Sequence, residues 1–383
     1  MSRRLRASGD VLADLASAVF ALAMGLVMVV ASVAPFGWHL SALVRMAPGD
    51  PLARLVASDS AWVFAGAHYD GIYFFAMALD PLAIGAPHQL LDLAAYRYGH
   101  PAYGWLAGLL ALGNQALIPL ALVAVSVISL GAAAFFGSRI ARTLGLSRWT
   151  AVAIALCPGL LYAVGNDTSE ALGAALMLGV LWAWLVGRRQ TAGLLMIPMC
   201  FVKEPLLLVP AGIALWEAMG WWRWRRTEVR SGWLRTAVWV VPGPLAYAVW
   251  LAYLHGQFGV WSFSEGSNLA LPLPLLGWLD SFGRAASMAA GPMWEQQVGQ
   301  AALPLQVAIL GVLLVAFNRA LRLRSLLDPV YLLVALLMGY MSWVQILYPK
   351  DLLRCVAFAL VLAALVLQRP SVDLPGRSAT LAR

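Results

Sequence analysis

Continuous apolar stretches dominate the chain, and the two-residue alternation of a half-buried strand is missing from them. The first runs from Leu15 to Ala34, and others cover roughly 116–137, 149–165, 168–187, 191–202, 204–220, 235–255, 302–318, 329–348 and 352–368. Most are of the length that a helix needs to cross a bilayer, and short polar segments punctuate them. The pattern predicts an all-α protein: a polytopic transmembrane helical bundle of about ten membrane segments. The residues 1–370 read as one transmembrane domain, followed by a short cytoplasmic tail at 371–383. Between the runs, 36–100 reads as a long first outer loop carrying amphipathic interfacial helices, and 256–300 as a second outer loop.

Composition excludes the other broad classes. With 62% hydrophobic and 11% charged residues, the chain has more apolar surface than a soluble core can use. Three cysteines, all in or beside apolar runs, make no disulfide scaffold and read as small buried hydrophobes.

The net charge of +8 comes from 24 arginines and two lysines against 18 acids, a balance that could serve nucleic acid. Its distribution says otherwise. Arg3/Arg4/Arg6, Arg139/Arg142/Arg148, Arg188/Arg189, the cluster from Arg223 to Arg235, Arg319/Arg322/Arg324 and the tail arginines all fall in alternate gaps. The positive-inside rule makes these gaps cytoplasmic, with both termini inside, provided that 101–113 does not cross. At 13 residues that stretch is too short to span about 30 Å, so it reads as a helix dipping into or lying on the outer leaflet. The clusters then orient the chain in the cell (inner) membrane and contact lipid headgroups, which leaves no nucleic-acid partner. The run Leu15–Ala34 reads as an uncleaved first span, being long for the apolar core of a signal peptide.

The same count places the remaining polar groups, including both lysines, on the outer side. The segment Trp62–Pro81 carries six aromatics and reads as an amphipathic helix at the interface. Within it Asp70 either serves as general base for an acceptor hydroxyl or caps the helix Gly71–Leu79. In Tyr96-Arg97-Tyr98-Gly99-His100, Arg97 either grips a phosphate between two rings or anchors the chain at the water boundary. Lys203-Glu204 follows an apolar run too short to cross, which places the pair partly at hydrocarbon depth. Glu204 there neutralises Lys203, or holds it toward a ligand phosphate, or the two simply close a turn. Asn166-Asp167-Thr168-Ser169-Glu170 is a polar turn with capping chemistry, in which Asn166 and Glu170 are candidates for a site. Lys350 and Arg354, four apart, would share one helix face and suit a phosphate under a lipid tail. His68 and His100 are too isolated in sequence to read as metal ligands. No nucleotide-binding or hydrolase fingerprint is present.

Taken in order, the N-terminal span, the large loop with Tyr69-Asp70-Gly71, then Tyr96-Arg97-Tyr98 with Pro101 opening a Leu-rich helix, resemble the GT-C superfamily of membrane glycosyltransferases. The resemblance points to the branch related to the protein O-mannosyltransferases and the lipid-A aminoarabinose transferases. Lys203-Glu204 and Arg354 at the outer start of the last span fit it as well. It implies transfer of a sugar from a polyprenyl-phosphate donor to a lipid, glycan or protein acceptor at the outer face. Asp70 would be catalytic. Arg97, Lys203, Lys350 and Arg354 would bind the departing phosphate, with Tyr69, Tyr96, Tyr98, His100, Glu204 and Asn166 in support. Many members carry a second carboxylate beside the first, where this chain has Gly71. No cofactor is fixed by the sequence, and a divalent cation stays a candidate. Two other readings use the same charges: a transporter or flippase for an anionic lipid or lipid-linked sugar, and a non-catalytic membrane assembly subunit.

Overall fold

The computed structural model describes residues 2–56, 62–147, 149–223, 231–265 and 273–369, and among these it is helical throughout, with no strand. Expectations for Arg148, for the arginines within 224–230 and for the tail 371–383 fall outside the described residues. Helix α1 (Ser2–Val33) leads through short 3₁₀ turns to α2 (Gly71–Leu79), α3 (Ala94–Arg97) and α4 (Ala102–Leu110). The central part is α5 (Ile118–Leu144), α6 (Trp149–Ala155), α7 (Pro158–Val164), α8 (Glu170–Leu185), α9 (Arg189–Cys200) and α10 (Leu208–Arg223). Then come α11 (Ser231–Val240), α12 (Pro242–Phe258), α13 (Ser262–Glu265) and α14 (Leu276–Ala289). The last five are α15 (Met293–Ala320), α16 (Leu327–Gly339), α17 (Trp343–Leu347), α18 (Pro349–Cys355) and α19 (Ala357–Leu367).

Three helical stretches, Val11–Phe36, Gln115–Leu144 and Met293–Ala320, are long and apolar enough to cross a membrane. Glu170–Leu185, Leu327–Gly339 and Ala357–Leu367 are as apolar but shorter. The long α5 forms the spine, packed between α1 and α8, with buried Gly131, Ala133 and Ala134 letting its neighbours approach closely. It stops at Gly145, whose φ of 68° is left-handed, while Leu146 N–H returns to the Ala141 carbonyl at 2.7 Å. On α1 the opposite situation holds: Leu12, Val19, Leu26, Val27 and Val30 face outward without protein cover. An apolar stripe of this kind is stable against lipid tails and costly in water.

Several apolar runs are broken where proline removes a backbone donor. Pro158 divides 149–165 into α6 and α7, and the Pro242-Gly243-Pro244 kink appears as a break at Val241 between α11 and α12. One loop expectation is corrected. The first loop holds no amphipathic surface helix over 62–81; its helix is the nine-residue α2, of which Gly71 through Ala78 are buried. Aromatic residues placed there for an interface instead pack inward, Phe75 and Tyr73 among them. Among its described residues, the stretch 256–300 carries the end of α12, then α13, α14 and the start of α15. It is α14 that is amphipathic, burying Gly277, Trp278, Ser281 and Ala285 while Leu279 stands exposed. The stretch 101–113 contributes the short α4, laid against α2; a Cβ on Gly104 would stand 2.7 Å from Met77 Cβ and from the Phe74 carbonyl, so only glycine permits the approach.

The helix order sorts the charges to two ends of the bundle. One end collects the start of α1, the end of α5, the α8–α9 turn, and the junction of α16 with α19. There Asp14 accepts from Ser138 Oγ at 2.7 Å, and its other oxygen is ion-paired with Arg142 Nη2 at 2.7 Å and Arg139 Nη1 at 3.5 Å. Arg189 reaches Glu217 at 2.8 Å, and Arg369 grips fully buried Asp328. The other end collects the end of α1, the α7–α8 and α9–α10 turns, α3 and α18, and holds the site.

Candidate functional site

At that second end, a cavity of about 140 Å³ is lined by Asp70, Tyr73, Tyr96, Arg97, His100, Thr168, Ser169, Glu170, Lys203 and Arg354, with Phe74, Met77 and Val202 as its apolar part. Two carboxylates and three permanent cations line it, and a third carboxylate, Asp92, stands outside the wall 3.5 Å from Arg97 Nη2.

Asp70 sits at the N-cap position of α2 but makes no capping hydrogen bond. Its carboxylate turns into the cavity, where Arg354 donates from Nη1 and Arg97 Nη1 stands 3.6 Å away. Burial alone would raise its carboxyl, but the Arg354 and Arg97 guanidiniums outweigh that and hold it at about 2. Gly71 follows because no side chain fits: a Cβ there would lie 2.7 Å from the Val44 carbonyl oxygen. The place of a second, adjacent carboxylate is thus closed sterically. The second carboxylate of the cavity is Glu170, brought in by α8; it receives Lys203 Nζ, and Arg354 Nε stands 3.5 Å away. Arg354 therefore bridges the two acids, and Lys203 ties the α9–α10 turn to α8.

The Lys203-Glu204 pairing expected from the sequence is corrected. Residue 203 is extended and residue 204 starts a 3₁₀ turn, so their side chains diverge: Lys203 goes to Glu170 and Glu204 to His100. His100 packs edge-on against Tyr96. Arg97 is flanked by Tyr96 at 5.6 Å, but its closest ring is Tyr73 at 3.7 Å, whose hydroxyl also accepts from Nη2 at 2.9 Å.

Tyr98, Lys350, Tyr69 and Asn166 lie outside the cavity wall. Tyr98 is buried on the core side, touching Phe258, because α3 ends there and the chain turns. Lys350 is exposed over the Tyr69 ring at 4.9 Å, while Arg354, one turn later in α18, points inward. The two cations share one face of α18, both over the Tyr69 ring, but only Arg354 reaches the cavity. Tyr69 donates to Asp351 at 2.8 Å and supports Arg354, 5.0 Å from its ring. Asn166 accepts from Arg45 Nε at 3.0 Å and donates to the Tyr162 carbonyl at 2.9 Å, fixing the turn behind the wall. Ser169, not Asp167 or Thr168, holds the N-cap position of α8, without a side-chain cap. Asp167 itself is buried in a left-handed conformation (φ 47°), and burial pushes its carboxyl well above the usual range against the opposing charge of Arg45.

The residues Tyr73 and Arg45 have no individual signal in the sequence: one looks like an interfacial aromatic, the other like an isolated arginine. Among the described residues no group of three His, Cys, Asp or Glu is placed to share a metal ion, and Asp70 and Glu170 already hold basic partners. The chain matches no family model, no curated protein and no solved structure.

Proposed function

We propose that this chain is a multi-pass membrane glycosyltransferase that takes a sugar from a polyprenyl-phosphate donor and passes it to a lipid, glycan or protein hydroxyl. In this reading about ten segments enter the bilayer, both termini are cytoplasmic, and the cavity opens on the outer face of the cell membrane. The observation that carries it is convergence: Asp70 and Arg354, 284 residues apart, meet in one cavity with Arg97 and Lys203. Three fixed cations in a partly buried space suit a leaving phosphate, whose growing charge they stabilise without reorganising. Asp70 is a weak proton acceptor while two guanidiniums hold it, so its part is to set those cations and orient the acceptor hydroxyl.

The test uses purified protein in nanodiscs with a panel of undecaprenyl-phosphate hexoses. Release of undecaprenyl phosphate together with a new glycosidic bond is expected, and Asp70→Asn should abolish both. Movement of the lipid across the bilayer without bond formation would replace this reading with that of a transporter. Neither chemistry nor movement across the panel would favour an assembly subunit.

A further inference from the structure

A row of hydrogen bonds leads from the surface of the first loop to the cavity wall. His68 Nδ1 lies 2.9 Å from Asp50 Oδ1, and His68 Nε2 lies 2.8 Å from the Tyr73 hydroxyl. The other Asp50 oxygen accepts the Ala47 N–H at 2.6 Å, which fixes the carboxylate. An ionised carboxylate only accepts, so Nδ1 donates to Asp50, and in the neutral form of the ring Nε2 is left as an acceptor. The Tyr73 hydroxyl then donates to Nε2 while accepting from Arg97 Nη2 on its other side. Tyr73 lines the cavity, whereas the His68 side chain is 41% exposed. One end of the row is therefore among the cavity's charges and the other is at the surface. The order of carboxylate, imidazole and hydroxyl is the one that activates a hydroxyl through an oriented base.

We propose that Asp50, His68 and Tyr73 form a proton relay that carries the proton of the acceptor hydroxyl out of the cavity. This rests on the transferase reading and supplies the proton acceptor that Asp70 does not. In the step, the acceptor O–H bond breaks and its proton moves to the Tyr73 oxygen as Tyr73 passes its own proton to His68 Nε2. The acceptor oxygen bonds to the anomeric carbon, and the bond from that carbon to the phosphate oxygen breaks with its electron pair left on phosphate. Asp50 balances the imidazolium, which returns one proton to water. Burial favours the neutral phenol of Tyr73, so the ring exchanges protons and does not store charge.

The test is nitrogen NMR of the full-length protein labelled with ¹⁵N-histidine in nanodiscs, where five histidines give few signals and His68→Gln assigns the one of interest. His68 should be neutral with the proton on Nδ1. Tyr73→Phe should move its Nε2 resonance while leaving the unfolding temperature nearly unchanged. Saturating farnesyl phosphate should shift Nε2 in the wild type, and by less than half as much in Tyr73→Phe. An Nε2–H tautomer, or an equal response in both proteins, overturns the relay and leaves His68 as a tie between two loop segments. Absence of farnesyl phosphate binding by native mass spectrometry overturns the transfer site, and the substrate end of the relay with it.

Discussion

Each end of the bundle holds an aspartate paired with an arginine, and the two pairs are built for different ends. At Asp328 both carboxylate oxygens are engaged: Arg324 N–H at 2.7 Å, Ser325 N–H at 2.8 Å and both terminal nitrogens of Arg369. The aspartate is fully buried, and the group clamps the start of α16 to the end of α19. At Asp70 the same two residue types face a cavity, their cations are shared between two acids, and Arg97 adds a further charge. Saturated pairs hold helices together. Pairs beside open space, with cations shared among several acids, are positioned to exchange one anion for another.

The comparison breaks most visibly at the saturated end. Arg369→Ala leaves the Asp328 carboxylate buried without its counter-ion and should cost about 3–5 kcal/mol, read as a fall in unfolding temperature in detergent. Farnesyl phosphate affinity of the protein that remains folded should be unaltered. Arg354→Gln should do the reverse at the cavity end. Losing one charge-assisted contact should weaken farnesyl phosphate binding by roughly 10- to 100-fold in titration calorimetry.

Asp70→Asn sharpens the contrast, because it removes an internal anion that competes with the ligand. Farnesyl phosphate should bind about 3- to 10-fold more tightly, on the order of 1 kcal/mol, even though transfer is lost. The pH dependence has a definite sign. With the folded carboxyl held at about 2, below its unfolded value, the stability from Asp70 is complete above about pH 4 and is lost as pH falls toward 2. Unfolding temperatures of wild type and Asp70→Asn should therefore converge over that interval.

Asp167 behaves oppositely. Its carboxyl is raised, so its unfavourable contribution grows as pH rises above about 4, and Asp167→Asn should raise the unfolding temperature at neutral pH. The smallest effect belongs to Lys350→Ala. The ammonium rests over the Tyr69 ring outside the cavity, so farnesyl phosphate affinity should change by less than about twofold.

Much of the site was legible as exceptions to a rule. Arginine in alternate gaps marks orientation, so Asp70, Arg97, Lys203 and Arg354 stood out as charges that orientation does not require, and the fold brings these four to one cavity. Their partners were not legible. Adjacent Lys203 and Glu204 diverge to Glu170 and His100, because backbone direction at a turn decides where each side chain goes. The Asp50–His68–Tyr73 row has spacings of 18 and 5 residues in an irregular loop, where no helical or strand period announces a contact.

By itself, the sequence determined the helical class, the apolar runs and the sorting of charge, since each follows from residue type at a local period. Only the tertiary structure decided that the first-loop helix is buried, that position 71 has no room for a carboxylate, and that Asp70 is held low while Asp167 is pushed up. Those outcomes depend on distances between groups far apart along the chain, and solvation and Coulomb energies are set by such distances, not by order in sequence.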